Sequence, residues 1–341
     1  MQCPVCGRTD CIQRAHEILA SIPAVFLPCP ECRPRFLDKR LPLPTPEYAE
    51  PCVCGKRFID DVFAHIYVIM VEEGDLTPAS PLIDAGSPLV HPGFAMDRPP
   101  FLSARSLVLL SSRISRKAAQ RLVHEVPEIR GVVKKGDFTP GIVANAAPRT
   151  YELYAGCDVR ADIFPVKKRP LVMFKQQSNI HIEFPRAGYP KIRSVERHVG
   201  TPPVPFFIDA CCGIGTLGLA AANLGSSHVI LNDAWFAAAF WSAINLDVNR
   251  EYFQVEKVSV MSSLREMAKN PVRKIPLKIA EAKGTQTIEI YHGDFQSLFQ
   301  VIPEGLAPVT ALDLFEKSDR NSTERAVAAW SAHVAGDVFI P

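Results

Sequence analysis

Hydrophobic and polar positions change period along the chain, and the change divides it. From residue 201 onward, short apolar runs alternate with helical patterns. Phe206-Phe207-Ile208 reads as a buried strand ending in Asp209, followed by the turn Ala210-Cys211-Cys212-Gly213-Ile214-Gly215. Leu217 to Leu224 then takes helical spacing, with Gly225 as its stop signal. Ser227 to Leu231 is a second strand ending in Asn232-Asp233, and Phe236 to Val248 is a helix that carries Asn245 near its end, with Asn249 next after it. Thr287 to Tyr291 is a third strand, running into His292-Gly293-Asp294-Phe295. Val309 to Leu312 is a fourth, running into Asp313-Leu314-Phe315-Glu316. A helix over 323–334 and a strand over Asp337 to Ile340 complete the pattern. Strands alternating with helices predict an α/β fold around a parallel sheet, Rossmann-like in type. Residues 251–284, with seven Lys/Arg against four acids, read as a long connection placed to touch a substrate.

The first two hundred residues lack this rhythm. Ile12 to Ile22 has helical apolar spacing. Residues 58–70 are strongly apolar and predict a buried helix or strand, with Asp60, Asp61 and His65 as its polar edge rather than a metal site. Pro, Gly and Asp dominate 74–102, which predicts a loop or extended arm. Ser106 to Leu110 is a strand, Arg113 to Val123 a helix capped at Ser112 or Ser115, and Pro127 to Val133 another strand. The expected organisation is a zinc-ribbon-like module over 1–60, a small α+β substrate-recognition region with a basic surface over 61–200, and the α/β domain over 201–341.

Composition adjusts this picture. No apolar run reaches the length of a membrane span, and the first residues are cysteines rather than a secretory leader. Ten cysteines in 341 residues, several as close pairs, read as metal ligands in a reducing cytoplasm rather than a disulfide scaffold. Cys3-Pro4-Val5-Cys6 and Cys29-Pro30-Glu31-Cys32 are two knuckle turns, each presenting two thiolates. Together they predict one four-sulfur zinc site from Cys3, Cys6, Cys29 and Cys32. Cys52-Val53-Cys54-Gly55 is open: it joins Cys11 and His16 in a second site, replaces one of the pairs, or binds nothing. Net charge is only +2, yet 101–140 holds eight Lys/Arg against three acids and 158–197 holds nine against four. A basic middle on a near-neutral chain is the footprint of a polyanion partner, or an ordinary solvated face. No signal for oligomeric state stands out.

The glycine turn carries the chemistry. Gly213 and Gly215 let backbone approach a ligand closely. An acid about twenty residues beyond such a turn, here Asp233, can hold two ribose hydroxyls. No Lys-Ser/Thr follows, which excludes a P-loop, while Gly218 keeps a dinucleotide reading open. The stretch from Phe206 to Ala220 resembles motif I of the class I S-adenosylmethionine (SAM)-dependent methyltransferases. That resemblance implies a SAM site in which Asp209, Cys211, Gly213 and Gly215 lie near the methionine part. It implies Asn232 and Asp233 at the ribose, and Asp294 and Phe295 at the adenine. Asp313 and Glu316 then stand where substrate enters, as a base or a substrate-binding carboxylate. Enzymes of this class that methylate nitrogen usually carry a proline there, and this chain has none. Cys211 and Cys212 read as packing residues rather than nucleophiles. The class also adds two strands after the fifth, which the residues left after Ile340 do not supply. A shortened sheet, strands from the N-terminal region, or a truncated chain is expected.

Further resemblance lies upstream. Glu125 to Val133, Tyr151 to Gly156, Phe184-Pro185-Arg186 and Glu196-Arg197 are similar to segments of the archaeal and eukaryotic tRNA guanine-N1 methyltransferases and the related wyosine-pathway transferases. The gap between Arg186 and Glu196 is longer than in that family. The resemblance implies a SAM-dependent methyltransferase acting on RNA. A protein methyltransferase, an aminocarboxypropyl transferase and a non-catalytic SAM-fold scaffold are the alternatives.

Overall fold

A computed structural model describes residues 1–141, 148–314 and 319–341. The chain divides into two compact units. Of the described residues, the first holds 1–141, 149–162 and 176–184; the second holds 148, 163–175, 185–314 and 319–341. The cysteine-rich segment and the region after it therefore share one unit, and the boundary falls at several chain crossings rather than at 60 and 200.

In chain order the first unit begins with α1 (Ala15–Phe26), β1 (Arg57–Phe58), α2 (Ile59–Glu72), β2 (Ser87–Val90) and β3 (Phe101–Leu102). It continues with β4 (Leu107–Ser111), α3 (Arg116–Glu125), β5 (Ile129–Lys134) and β6 (Glu152–Gly156). Its main sheet has the order β2-β4-β5-β6, with only β4 and β5 parallel, joined through α3. Ser115 caps α3, its hydroxyl accepting the Ala118 N–H, as one of the two expected serines should. Helix α2 is buried nearly all round, with Val62, Ile66 and Met70 fully enclosed. Its polar edge is paired within the protein. Asp60 accepts the Leu37 N–H and pairs with Lys39, and Asp61 lies 3.4 Å from Arg35. His65 stacks on Tyr48 and its Nδ1 lies 3.0 Å from Arg57; burial, then the Arg57 charge, pulls its pKa down to about 4. The supposed loop 74–102 contributes β2 and β3.

Strands β7 (Val159–Phe164) and β8 (Leu171–Gln176) come next. The second unit then runs α4 (Pro190–Val199), β9 (Phe206–Asp209), α5 (Thr216–Leu224), β10 (His228–Asp233) and α6 (Phe236–Val248). After these come β11 (Val255–Val260), α7 (Leu264–Met267), β12 (Leu277–Gly284), β13 (Thr287–His292), β14 (Val309–Ala311), α8 (Arg320–Ser331) and β15 (Asp337–Phe339). The sheet order is β11-β12-β13-β10-β9-β14-β15. The last five of these are mutually parallel, with the order reversing about β9. This is a Rossmann-like α/β sheet, and it puts the C-terminal ends of β9, β10, β13 and β14 on one edge. Residues 251–284, expected as a long connection, hold regular strands instead. They form β11 and β12, an antiparallel pair that extends the sheet beyond β13. The sheet is thus widened at the edge opposite β15, by residues inside the unit. Among the described residues no helix is long and apolar enough to cross a membrane.

Candidate cofactor site and cysteine clusters

Strand β9 ends at fully buried Asp209, and the chain turns through Gly213 and Gly215, both at positive φ (54° and 92°), into α5. Gly215 also has a packing reason: a Cβ there would lie 3.0 Å from Ser242. Gly218 has a stronger one, since a Cβ would lie 2.6 Å from Leu231 and 3.1 Å from the Asp209 Cβ. It is the third glycine of the motif, and its absent side chain lets α5 lie close on the sheet. Its N–H donates to Asp209 Oδ2 at 2.8 Å.

Asp233, the last residue of β10, holds the turn in place. Its Oδ2 accepts the Gly213 N–H and its Oδ1 the Trp235 N–H, both at 2.8 Å. Asp294 follows β13 and accepts the Gln296 N–H, so it caps the next turn. Phe295 is half-buried against the core beneath. Asp313 follows β14, and Lys191 of α4 reaches it at 2.8 Å. The four acids converge. The Cys211 thiol is pushed well up in pKa by burial and then by Asp233, Asp209, Asp313 and Asp294 in turn. Cys212 is pushed up too, by burial and then Asp209 and Asp233. Both are therefore neutral thiols, unsuited to nucleophilic attack. Asp209 is raised to about 8 by burial; the Gly218 N–H opposes this, and Asp313 and Asp233 add to it. Asp233 is raised to about 6, also by burial, against its two N–H donors.

Asn232 acts through its amide group as a brace between strand ends. It is fully buried, and its amide donates to Ala210 and Gly293 carbonyls at 3.0 and 2.8 Å, bracing the ends of β9, β10 and β13. Asn245 and Asn249 are likewise braces. Their side chains pair with the backbone N–H and C=O of Phe174 and Val172, and Asn245 also donates to Ile214 in the glycine turn. Glu316 lies outside the described residues. Lys191 was legible only as one charge in a basic run; nothing local marks it as the partner of a residue 122 positions away.

The cysteines are rearranged most. Cys3 and Cys6 do not meet Cys29 and Cys32. They gather instead with Cys11 and Cys157, while Cys29 and Cys32 gather with Cys52 and Cys54. Within each set the four sulfurs lie within 4.8 Å of one another. Cys3 to Cys157 is 3.7 Å and Cys6 to Cys11 3.4 Å. In the other set Cys29 lies 3.8 Å from Cys32 and 3.5 Å from Cys52, and Cys32 to Cys54 is 3.5 Å. A tetrahedron with Zn–S bonds of about 2.3 Å has an edge of about 3.8 Å, so both sets fit a tetrathiolate zinc ion. Gly7 and Gly55, both at positive φ, close the knuckles after Cys6 and Cys54. The open pair Cys52-Cys54 thus takes the place assigned to Cys3-Cys6. Cys157 went unnoticed because no second cysteine stands near it. The count was the available signal: ten less Cys211 and Cys212 leaves two sets of four.

The basic middle does not form one surface. Arg130, Arg160 and Lys175 are buried, and Arg116, Lys117 and Arg121 pair with glutamates. In the second unit, Lys167, Lys168, Arg169, Arg186, Arg193 and Arg197 are exposed. A cleft of about 680 Å³ there is lined by Lys167, Arg193 and Arg197 beside Tyr189 and Glu196.

No protein-family model matches the chain, and no curated protein matches it. Among solved structures it is similar to TYW2 from Pyrococcus horikoshii in complex with MeSAdo, at 17% identity over 69% of this chain and 67% of that one, TM-score 0.40. It is similar to Trm1 from the same organism with SAM, at 21% identity over 45% of this chain and 36% of that one, TM-score 0.33. Trm5b from Pyrococcus abyssi is a third, at 12% identity over 65% and 54%, TM-score 0.34. The functional reading therefore rests on the site's own residues.

Proposed function

We propose that the second unit binds SAM and transfers its methyl group to RNA, with tRNA the expected acceptor class. One observation carries the cofactor reading: four acidic side chains stand at or just after the ends of four adjacent parallel strands, with Asp209 and Asp233 bonded to the backbone of the glycine turn and the start of α5. A dinucleotide would bring its pyrophosphate to the start of α5, near the Asp233 and Asp294 carboxylates, with Asp209 held protonated by burial and Asp313 already paired with Lys191. SAM brings a sulfonium and an ammonium group, and a net positive charge, to the same place. Asp233 has acceptor positions left for ribose hydroxyls, and Phe295 offers an apolar surface beside the adenine position. Asp313, held by Lys191, stands at the strand end where an acceptor enters an open α/β sheet. Transfer from a sulfonium is an in-line displacement, so the protein's part is to orient the two reactants and exclude water.

The RNA reading is supported by the exposed Lys/Arg group around the α4 cleft, by Tyr189 and Arg186 in cation–π contact at that cleft, and by the sequence resemblance. Four thiolates at tetrahedral spacing support a zinc ion at Cys29, Cys32, Cys52 and Cys54, where it would hold the surface turns of the first unit.

The test is incubation with methyl-labelled SAM and separate cell RNA and protein fractions. Label in RNA with S-adenosylhomocysteine as co-product is the expected result. Label in protein overturns the acceptor, and methylthioadenosine as co-product overturns the transferred group. Tighter binding of NAD than of SAM would overturn the cofactor.

A further inference from the structure

The inner cysteine set asks for more than packing. Cys3, Cys11 and Cys157 are 2%, 1% and 2% exposed. Beside them lies Arg130, only 4% exposed, whose Nε has no hydrogen-bond partner. Arg105 reaches the same group from another side, its Nη2 3.9 Å from the Cys11 sulfur. A buried guanidinium with an unmatched donor is costly unless an anion stands next to it. Four neutral thiols supply no anion. Four thiolates around one divalent ion carry a net charge of −2, and two arginines balance it.

We infer that Cys3, Cys6, Cys11 and Cys157 hold a second, internal zinc ion, whose dianionic tetrathiolate is neutralised by Arg130 and Arg105. The chain is built for this approach. Cys157 follows Gly156, at positive φ, and its N–H donates to the Arg130 carbonyl at 2.7 Å. A Cβ on Gly156 would lie 2.4 Å from the Arg130 carbonyl oxygen, and one on Gly131 would lie 2.4 Å from that of Cys157. Both glycines are thus required for residue 157 to lie across β5. On the other side, the Gly7 N–H closes the Cys3 knuckle at 2.9 Å. The ion joins the N-terminal turn to a residue 154 positions away, just past the end of β6. The two ions then differ in kind: one stitches local surface turns, the other staples the ends of a folded unit. Four protons leave the thiols as the ion enters, so its occupancy falls with falling pH.

Metal content of the full chain, purified without added chelator, tests this. Two zinc ions per chain are expected, falling to one in Cys52→Ser and to one in Cys157→Ser. Cobalt(II) titration of metal-stripped protein should show thiolate-to-metal absorption growing over two equivalents. Because Cys157→Ser can fail to fold, the wild type is also mapped by alkylation and mass spectrometry. Cys3, Cys6, Cys11 and Cys157 should be protected until zinc is removed, then react together. The inference is overturned by a single zinc in wild type, by alkylation of those four without zinc loss, or by a disulfide among them. A single remaining zinc in Cys52→Ser that exchanges far more slowly than the zinc in Cys157→Ser is the further expected result, since the inner sulfurs are buried; equal exchange rates would overturn the claim that this ion is internal.

Discussion

Replacing Asp233 by Asn probes the cofactor site most directly. The wild-type carboxylate accepts the Gly213 and Trp235 N–H groups, each at 2.8 Å. A carboxylate offers about four acceptor positions, so about two stay open for ribose hydroxyls. Asparagine keeps one oxygen and turns the other into NH2. That group must face one of the two backbone donors, and it cannot accept a proton from a hydroxyl. A hydrogen bond to a charged acceptor contributes roughly 1.5–3 kcal/mol, so SAM binding should weaken by about 10- to 150-fold. The pH dependence follows from the same group. Burial raises the carboxyl to about 6 in the free protein, the two N–H donors oppose the rise, and Asp313 adds to it. Only the ionised form accepts from both hydroxyls, so wild-type affinity should be level above pH 7 and fall by about tenfold by pH 5. The Asn variant should bind weakly at all these values, without the step. Calorimetric titration of both proteins from pH 5 to 8 measures it. A variant within twofold of wild type, or a wild-type affinity that is level down to pH 5, would refute the ribose assignment.

Asp209 titrates near 8 in the folded protein against about 3.9 unfolded. The folded state thus keeps a proton that the unfolded chain has lost. Its stabilising contribution is full below about pH 4 and is lost as pH rises through 8. Denaturant unfolding at pH 5 and 8.5 should show a larger fall for wild type than for Asp209→Asn, and equal falls would sink the idea. Gly218→Ala gains about 1 kcal/mol of helix propensity but sets a Cβ 2.6 Å from Leu231. Overpacking of about 1–3 kcal/mol should win, so thermal melting should drop, and a rise would count against the packing argument. The Lys191–Asp313 pair is part-exposed, 29% and 17%, and is worth about 0–1 kcal/mol. Lys191→Met should therefore melt almost as wild type and bind SAM within twofold, while turnover on RNA falls at least tenfold; unchanged turnover would remove Lys191 from the site.

Much of the second unit was legible because its signals are local. The helix Phe236–Val248 has the bounds its apolar spacing predicts, and every parallel strand of the unit was read from its own few residues. Strands β11 and β12 were missed because they build an antiparallel edge. Their alternation is filled with Glu256, Lys257, Lys278, Glu281 and Lys283. Lys278 pairs with Glu281 on its own strand and with Glu289 on β13, and Lys283 pairs with Glu281; charged side chains on an edge disfavour association with another strand. That pattern looks like a charged connection until its partner strand is known. The bracing roles of Asn232, Asn245 and Asn249 were not legible for a related reason. A polar residue near a binding motif invites a ligand role, and only burial against backbone carbonyls reveals a brace.

By itself, the sequence determined the turns: the glycine turn after β9, the acids at four strand ends, and the cysteine knuckles closed by Gly7 and Gly55. Each is a contact among near neighbours, encoded in a few adjacent residues. Tertiary structure alone decided which turns meet. Cys29-Cys32 gather with Cys52-Cys54, Cys3-Cys6 with Cys11 and Cys157, and Lys191 pairs with Asp313. Such pairings depend on the whole sheet order and on close approaches such as Gly131 over residue 157. No spacing along the chain encodes them, because the distance that matters is measured across the folded sheet.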